Sequence, residues 1–406
     1  MLSCDGVPLP EIAREAGTPV HVYSASVLTA RYRAFDAPFA GVEHRLHYAI
    51  KANATLGVVA HLRALGARAD ANSGGEIEVA LRAGFDAADI VFTGVGKTRA
   101  ELERAIALGV LAINAESTGE VARIAELARS LGRRARVAVR INPDVEAGSH
   151  PHISTGSLAT KFGVSIAEAR AMIGDMARRP ELQIVGLHAH IGSQITTTAP
   201  IARAAGLIAD LARDLMAQGI ALEHLDLGGG LGVAYKNDQA ALSPADYAEA
   251  ILPAVRRAGL PLVLEPGRWI VAPAGVLVTE VVDLKPRGAD GSFVIVDAGM
   301  TDLIRPALYG AWHTIEPVAP RAGAPINADV VGPVCETSDT IGTRRDLPPV
   351  EVGDLIAIRD TGAYGSVMAS NYNRRPIAAE VMVEDGAWRV IRRRQSIDDM
   401  LQWDEP

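Results

Sequence analysis

The sequence has almost no cysteine and lacks the segments that would place it in a membrane or outside the cell. Its two cysteines, Cys4 and Cys335, lie too far apart for a metal knuckle, and a chain of 406 residues needs no disulfide framework. No apolar stretch is long enough to cross a membrane. The N-terminal segment MLSCDGVPLPEIAREAG carries acids and prolines where a signal peptide needs a basic start and an apolar core. The composition therefore predicts a soluble, cytoplasmic protein.

Basic residues are also too few and too scattered for a nucleic-acid-binding protein. The chain has 40 Lys and Arg against 48 Asp and Glu, and its longest basic run is Arg392-Arg393-Arg394. A nucleic-acid partner needs a basic patch, so we expect none. Apolar residues, in contrast, make up 49% of the chain, which at this length is enough for the cores of two domains.

Short β-branched segments alternate with amphipathic segments, such as TLGVVAHLRALG, between about residues 45 and 270. This alternation is typical of parallel strands joined by helices. The strand candidates are RLHYAIKA (45–52), ARADANS (67–73), DIVFTGV (89–95), VLAINA (110–115), RARVAVRIN (134–142), LQIVGLHAHIG (182–192), LEHLDLGGG (222–230) and LPLVLEPGR (260–268). Eight such units fit a closed (β/α)8 barrel better than an open doubly wound sheet.

The helical pattern fades after Arg268, and the remaining sequence predicts strands and turns. The strand candidates there are AGVLVTEVVDLKP (274–286), SFVIVDAGM (292–300), DLIAIRDTGAYG (354–365) and IAAEVMVEDGAWRVIRR (377–393). We therefore predict a (β/α)8 barrel over 26–272 and a β-rich domain, a β-barrel or sandwich, over 273–406 that completes the active site. Residues 1–25 are expected to add a strand to the β-rich domain.

Polar residues collect where the barrel strands end, which is where the active sites of such barrels lie. The strand ends carry Lys51, Asp70, Arg140, His190, Gly228-Gly229-Gly230 and Glu265-Pro266-Gly267-Arg268. Barrel enzymes often bind a phosphate with the loops after the seventh and eighth strands. The glycines and Arg268 therefore predict a phosphate site.

The glycine-rich segments do not fit a nucleotide-binding motif. Val233 stands where the dinucleotide fingerprint needs its last glycine. GVGKT (94–98) ends like a P-loop, but the first glycine of that motif would fall at position 91, which is Val91. Both nucleotide interpretations are therefore set aside.

His188 and His190 form an H-A-H pair, which on a strand could bind a metal ion. Metal-dependent barrel hydrolases carry such a pair on the first strand, where this chain offers only His47 and Lys51. We therefore expect no metal, His188 in the core, and His190 lying flat against a ligand ring.

A phosphate site, a strand-end lysine, a stacking histidine and a buried acid together describe a site for pyridoxal 5′-phosphate. In apolar surroundings that lower its pKa, Lys51 can form a Schiff base with the aldehyde. As an anion facing the pyridine nitrogen, Glu265 favours the protonated ring, which is a strong sink for electrons.

Over nearly its whole length the chain resembles the diaminopimelate decarboxylases, a family among the barrel-type pyridoxal phosphate-dependent decarboxylases. The motifs that carry the resemblance are YAIKAN (48–53), SGGE (73–76), GVGKT (94–98), NPDV (142–145), HPHISTG (150–156), KFG (161–163), HAHIGSQ (188–194), GGGLG (228–232), EPGR (265–268), RPALYGAWH (305–313), GPVCETSD (332–339), GAYG (362–365) and SNYNRRP (370–376). Two positions depart from the family pattern, because Asn72 replaces an apolar residue and His152 stands at a common aromatic position.

The resemblance implies a set of residues that hold the cofactor. Lys51 should bind it, Asp70 should orient Lys51 or the ring, and His190 should stack on the pyridine. The residues expected at the phosphate or next to it are Ser193, Gly229, Gly230, Gly267, Arg268 and Tyr364.

The implied reaction is decarboxylation of meso-2,6-diaminopimelate to L-lysine, the last step of lysine biosynthesis. The distal carboxylate of this substrate needs cations and its distal ammonium needs an anion. The residues expected to bind them are Arg305 and Tyr309, with Arg268, for the carboxylate and Glu336 for the ammonium, and Tyr364 is also expected to contact the substrate. Cys335 could return a proton to the carbanion.

The resemblance also implies a homodimer in which Cys335 and Glu336 complete the site of the other chain. Two alternatives stay open at this point. One is a related enzyme acting on another basic or dicarboxylic amino acid. The other is a catalytically inactive regulatory paralogue, against which the intact Lys51, Glu265 and Cys335 argue.

Overall fold

The computed structural model describes residues 1–145, 160–236, 239, 241–288 and 291–405, so the HPHISTG motif with His152 lies outside the described residues. The chain divides into two compact units. The sheet unit comprises Met1–Arg31, Ala234–Gln239 and Ile270–Pro406, and the barrel unit comprises Tyr32–Val233 and Ala240–Trp269. No helix within the described ranges is long and apolar enough to cross a membrane.

The chain begins with a small hairpin and a strand that joins a larger sheet. The first elements are β1 (Ser3–Cys4), β2 (Val7–Pro8), α1 (Leu9–Ala16), β3 (Val20–Ser24) and α2 (Ala25–Asp36). Between β1 and β2, Asp5 and Gly6 both have positive φ, of 43° and 85°. An Asp-Gly pair is well suited to such a two-residue turn, because both central residues must adopt this conformation.

In the part of the chain that the structure describes, eight parallel strands close into a barrel. The strands are β4 (His44–Ala49), β5 (Arg68–Ala71), β6 (Ile90–Phe92), β7 (Ala112–Ala115), β8 (Ala135–Arg140), β9 (Leu182–His188), β10 (His224–Asp226) and β11 (Leu262–Leu264). The connecting helices are α3 (Leu56–Ala64), α4 (Gly74–Arg82), α5 (Arg99–Leu108), α6 (Thr118–Ser130), α7 (Ile166–Met176), α8 (Thr198–Ala217) and α9 (Pro244–Ala258). Closure follows from the pairing of β11 with β4, in which Val263 lies opposite Arg45.

Several of the barrel helices begin at signals that can be recognised in the sequence. Reciprocal capping boxes start α5 at Thr98, α7 at Ser165 and α9 at Ser243. In each box the hydroxyl accepts from the backbone N–H of an acid three residues later, which stabilises the first turn by about 1 kcal/mol. These caps fix where the chain turns from the barrel mouth into the outer helices.

The sheet unit is built from the elements that follow the barrel, together with β3. These elements are α10 (Arg268–Val271), β12 (Gly275–Pro286), β13 (Ser292–Val296), α11 (Arg305–Tyr309), β14 (Ile315–Pro317), β15 (Ile326–Val331), β16 (Thr340–Leu347), β17 (Leu355–Arg359), β18 (Ala379–Glu384), β19 (Ala387–Arg392) and α12 (Ile397–Leu401). Over the described residues the main strand order is β16-β15-β13-β12-β3-β18-β19, and β17 pairs with both β12 and β14.

The core of the sheet unit has two apolar clusters that meet along β12. One contains Val20 and Val22 of β3 with Val278 of β12. The other contains Val281 of β12 with Val294 of β13. A single long strand thus shares its side chains between two cores.

The predicted fold class, a (β/α)8 barrel with a second, β-rich domain, is confirmed. The predicted barrel strands were too long at several C-terminal ends. β4 stops at Ala49 rather than at Lys51, β9 stops at His188 rather than His190, and β10 stops at Asp226. The reason is visible after β10, where Gly228 has a φ of 64° that no strand residue adopts.

Candidate active site

The amine predicted to react, that of Lys51, lies just past the end of a barrel strand. Lys51 belongs to a single 3-10 turn, Ile50–Ala52, that follows β4. Parallel pairing of Ala49 with Asp70 brings the ends of β4 and β5 together. Lys51 Nζ consequently lies 3.1 Å from Asp70 Oδ2 and 3.1 Å from Asn72 Oδ1. Because two oxygen acceptors contact the amine, the expectation of apolar surroundings for Lys51 was wrong.

Asp70 connects Lys51 to Asn72. Its side chain is fully buried, and its Oδ1 atom accepts a hydrogen bond from Asn72 Nδ2 at 3.0 Å. Burial and the negative charge of Glu265 raise the pKa of Asp70, and Lys51 opposes that shift. The contact between Asp70 and Lys51 is the one that the expected orienting role requires.

Glu265 comes directly after β11 and is only 3% exposed. Its Oε2 atom lies 3.3 Å from His188 Nε2, whereas its Oε1 atom has no hydrogen-bond partner among the described residues. Burial alone would raise the pKa of Glu265, but His188 and Lys51 lower it below its ordinary value, so the carboxyl is ionised. A buried carboxylate oxygen without a donor is costly, and a protonated ring nitrogen is a donor that would satisfy it.

His190 is held as a neutral ring. Its Nδ1 atom accepts a hydrogen bond from the backbone N–H of Gly229 at 3.1 Å, so the ring proton is on Nε2. Burial, with the positive charges of Lys51 and Arg140, lowers the pKa of His190 to about 3. A neutral, fixed imidazole of this kind can stack on an aromatic ligand.

The glycines after β10 let two loops approach each other closely. Gly228 and Gly230 have φ of 64° and 101°, which favour glycine. A Cβ atom on Gly229 would overlap the backbone oxygen of Glu265, and one on Gly230 would overlap that of Gly192. The loop therefore presents backbone without side chains, as a phosphate site needs.

The remaining predicted phosphate residues of the barrel unit lie beside this loop. Arg268, which is buried, donates from Nη2 to Ser193 Oγ at 3.0 Å. A Cβ atom on Gly267 would lie 3.0 Å from the Cβ of Ala52 and 3.1 Å from that of Ala49, on either side of Lys51, so a side chain there would be crowded. The cation, the hydroxyl and the glycine loop thus lie next to the turn that carries the amine.

The residues of the barrel unit fit the chemical groups of pyridoxal 5′-phosphate. Glu265 Oε1 is a buried acceptor that lacks a donor, and the glycine loop is a cradle that side chains would fill. Lys51 supplies an amine for the aldehyde, and Arg268 supplies a cation for the phosphate. A lysine for the aldehyde and an acid for the ring nitrogen are the groups that hold pyridoxal 5′-phosphate in its enzymes.

The ligating atoms of His188, Asp226 and Glu265 lie within 4.8 Å of one another and are all buried. Burial and the charge of Glu265 raise the pKa of Asp226 well above its ordinary value. A raised pKa opposes the ionised form that a carboxylate needs as a metal ligand, so the cluster is poorly suited to a metal ion. His190, the other half of the H-A-H pair, is outside this cluster and uses Nδ1 to accept from Gly229.

Five of the predicted residues belong to the sheet unit: Arg305, Tyr309, Cys335, Glu336 and Tyr364. Arg305 and Tyr309 begin and end α11, and Arg305 is only 6% exposed. Tyr364 has a φ of 55° and precedes Gly365 in the GAYG motif.

The loop that carries Cys335 and Glu336 is held by a buried acid that the sequence analysis did not single out. Asp339 Oδ2 accepts from the backbone N–H of Val334 at 2.7 Å. The backbone N–H of Cys335 donates to Asn373 Oδ1 at 2.8 Å, and the Cys335 thiol itself is exposed. The loop is therefore anchored at Val334 and at the backbone of Cys335, while the thiol stays accessible.

Sequence reasoning missed the parts played by three other residues. Asn72 was recognised as a departure from the family pattern, but its contact with Lys51 was not foreseen. His188 was expected to be a core residue; it is fully buried and also contacts Glu265. His313, the last residue of RPALYGAWH, contacts Arg305 at 2.8 Å, and its place in that motif was the available signal.

The chain is similar to known proteins over nearly its whole length. A family model described as pyridoxal-dependent decarboxylase, pyridoxal binding domain, matches residues 25–272. Diaminopimelate decarboxylase from Neisseria meningitidis serogroup A is 46% identical over 400 residues, which cover 98% of this chain and 98% of that protein. The enzyme of that name from Pseudomonas aeruginosa is 47% identical over 399 residues, covering 98% of this chain and 95% of the other. This chain belongs to the diaminopimelate decarboxylase family of pyridoxal-dependent decarboxylases.

A solved structure of the diaminopimelate decarboxylase family supports the same assignment. The crystal structure of the Helicobacter pylori enzyme complexed with L-lysine is 43% identical in sequence and matches with a TM-score of 0.93. The match covers 97% of this chain and 98% of that one. The predicted family, enzyme class, reaction and pyridoxal phosphate cofactor are thereby confirmed.

Proposed function

We propose that this chain decarboxylates meso-2,6-diaminopimelate to L-lysine and CO2 with the residues described above. The observation that carries the proposal is the pairing, in one barrel, of an amine held by Asp70 with a buried carboxylate oxygen of Glu265 that lacks a donor. The similarity to diaminopimelate decarboxylases over 98% of the chain selects the substrate.

Each barrel residue has a separate part in holding the cofactor. Lys51 binds the aldehyde, and Asp70 holds the amine in place. Glu265 keeps a proton on the ring nitrogen, while His190 covers one face of the ring. The residues that hold the phosphate are Ser193, Gly229, Gly230, Gly267 and Arg268, with Tyr364. When bound, the cofactor takes up the electron pair left on the α-carbon as CO2 departs.

Substrate selection belongs to the residues of the sheet unit together with Arg268. Arg305 and Tyr309, with Arg268, bind the distal carboxylate, and Tyr364 also contacts the substrate. Support for Arg305 comes from its burial, because a guanidinium that is 6% exposed and already held in place forms a rigid clamp for a carboxylate. Glu336 accepts the distal ammonium.

The proton that replaces CO2 comes from Cys335. Its thiol is exposed on an anchored loop, as a group that must meet substrate has to be. We propose that the protein is a cytoplasmic homodimer in which Cys335 and Glu336 of one protomer complete the site of its partner. In this proposal the cofactor-binding domain is 26–272, and residues 1–25 and 273–406 form the β-rich domain.

The experiment that tests this function is a substrate panel. Purified protein with added pyridoxal 5′-phosphate is incubated separately with meso-2,6-diaminopimelate, L-lysine and L-ornithine, and CO2 release is followed. We expect release from diaminopimelate alone, because only this substrate offers a distal carboxylate to Arg305. Release from ornithine or lysine would instead support the related decarboxylase of basic amino acids. If no substrate gave CO2 while the cofactor bound, the inactive paralogue would be supported.

A further inference from the structure

The side chain of Asn72 makes contacts that the known activity does not explain. Its Oδ1 atom accepts from Lys51 Nζ at 3.1 Å, and its Nδ2 atom donates to Asp70 Oδ1 at 3.0 Å. Lys51 also donates to Asp70 Oδ2 at 3.1 Å, which closes a triangle of three hydrogen bonds.

Chemistry fixes the orientation of the Asn72 amide. The ammonium of Lys51 can only donate and the carboxylate of Asp70 can only accept. The amide must therefore turn its oxygen to Lys51 and its NH2 group to Asp70. The reverse orientation would put two donors together and two acceptors together.

The backbone of Asn72 is fixed as well. It follows β5, and its N–H donates to Glu76 Oε2 at 2.7 Å. The next residue, Ser73, caps α4 by accepting from the backbone N–H of Glu76 at 3.1 Å. The Asn72 side chain therefore projects from a rigid corner rather than from a mobile loop.

The contacts with Asp70 and Asn72 restrict the direction in which the lone pair of the Lys51 nitrogen can point. The nitrogen has four tetrahedral positions, one of which is its bond to carbon. When Asp70 and Asn72 each take one N–H, a single position is left, and in the neutral amine this position holds the lone pair. Loss of the contact with Asn72 would remove one restraint on rotation of the amine, so the direction of its lone pair would be less well fixed.

We propose that Asn72 is a positioning residue that fixes the lone pair of Lys51 for attack on the aldehyde of the cofactor. In that step Nζ, after losing its ammonium proton to solvent, forms a bond to the aldehyde carbon. The carbonyl oxygen takes the two remaining amine protons and leaves as water. Asn72 accelerates this capture without contributing to phosphate binding, and the proposal rests on the cofactor of the proposed function.

The test separates covalent capture from binding. Apoprotein is mixed with pyridoxal 5′-phosphate, and the rate of capture is followed by absorbance in a stopped-flow instrument. Pyridoxine 5′-phosphate, which has an alcohol in place of the aldehyde, measures binding alone. For Asn72→Leu, which keeps the shape but removes the amide, we expect capture to slow by about tenfold, the size of one hydrogen bond to a charged group. Its affinity for pyridoxine 5′-phosphate should be unchanged.

Two further variants control for local damage. Asn72→Val tests the same loss with a side chain that suits a strand end, and it should also slow capture. Ser73→Ala removes the adjacent helix cap but leaves the triangle, so its capture rate should stay within twofold of wild type.

Three results would overturn the proposal. In the first, Asn72→Leu and Asn72→Val both capture the aldehyde at the wild-type rate. In the second, they lose capture and pyridoxine 5′-phosphate binding in equal proportion, which would make Asn72 part of the scaffold. In the third, the wild-type protein binds neither ligand, which would overturn the proposed function as well.

Discussion

The Nε2 atom of His313 lies 2.8 Å from Nη1 of Arg305, and this hydrogen bond can run in one direction only. His313 Nδ1 lies 2.8 Å from the backbone oxygen of Arg359, which can only accept, so Nδ1 carries the proton. Nε2 therefore holds a lone pair and accepts from the guanidinium. The ring of Tyr235 covers Arg305 with its centroid 4.5 Å from Cζ. Arg305 is fixed before any ligand arrives.

This geometry predicts that His313→Leu weakens substrate binding through Arg305. Loss of the acceptor leaves a buried guanidinium N–H without a partner, so the clamp becomes mobile. We expect KM for diaminopimelate to rise about tenfold with kcat little changed, as for one lost hydrogen bond to a charged group. Steady-state kinetics measure both constants, and His313→Gln, which retains an acceptor, is the matched control. A fall in kcat with KM unchanged would contradict the role of His313.

Glu265→Gln should reduce kcat much more than affinity for the cofactor. The charge of Glu265 matters most as negative charge builds up in the ring during the transition state. The expected loss in kcat is on the order of a hundredfold. Absorbance titration with pyridoxal 5′-phosphate measures the affinity separately. Equal losses in both quantities would mean that Glu265 has only a structural part.

Glu76 should make the protein less stable as the pH rises. Burial raises the pKa of Glu76 to about 7, against an ordinary value of 4.5, although the N–H of Asn72 opposes the shift. The folded protein thus binds this proton more tightly than the unfolded chain does, and the resulting stability is lost as the pH rises through about 7. The effect is at most about 3 kcal/mol.

Glu76→Gln removes this titration while keeping an oxygen for the N–H of Asn72. The wild type should therefore lose stability relative to the variant as the pH rises. The difference in free energy of unfolding, variant minus wild type, should increase between pH 4.5 and about 7. Urea unfolding at a series of pH values measures the difference. Parallel pH profiles for the two proteins would show that Glu76 titrates normally.

Subunit mixing tests the shared site. If Lys51 of one protomer works with Cys335 of its partner, Lys51→Ala and Cys335→Ala proteins are each inactive but complement each other. Half of the dimers formed at random are mixed, and each has one intact site, so activity should return to roughly a quarter of wild type. Subunit exchange is verified with differently tagged chains. Verified exchange with no recovery would place Cys335 and Lys51 of one site in the same chain.

The sequence was sufficient to predict the barrel because periodicity and strand-end chemistry are local properties. Lys51 and Glu265 could be found because an isolated charge after an apolar strand is conspicuous. The triangle around Asn72 could not, because it depends on the parallel register that sets Ala49 opposite Asp70. The bond between His313 and Arg305 was hidden for a similar reason, since it needs the tautomer that the Arg359 carbonyl selects.

The position of β3 has a consequence for how the chain is made on the ribosome. Val20–Ser24 is among the first strands synthesised, but its neighbours on either side are β12 and β18, which end at Pro286 and Glu384. Val20 and Val22 are fully buried in the finished protein. They therefore stay exposed on the nascent chain until the whole barrel has been synthesised. A nascent chain that stalls in this interval carries an open strand edge, which is a template for aggregation. Translation that is interrupted late should consequently be more harmful to this protein than its compact barrel would suggest.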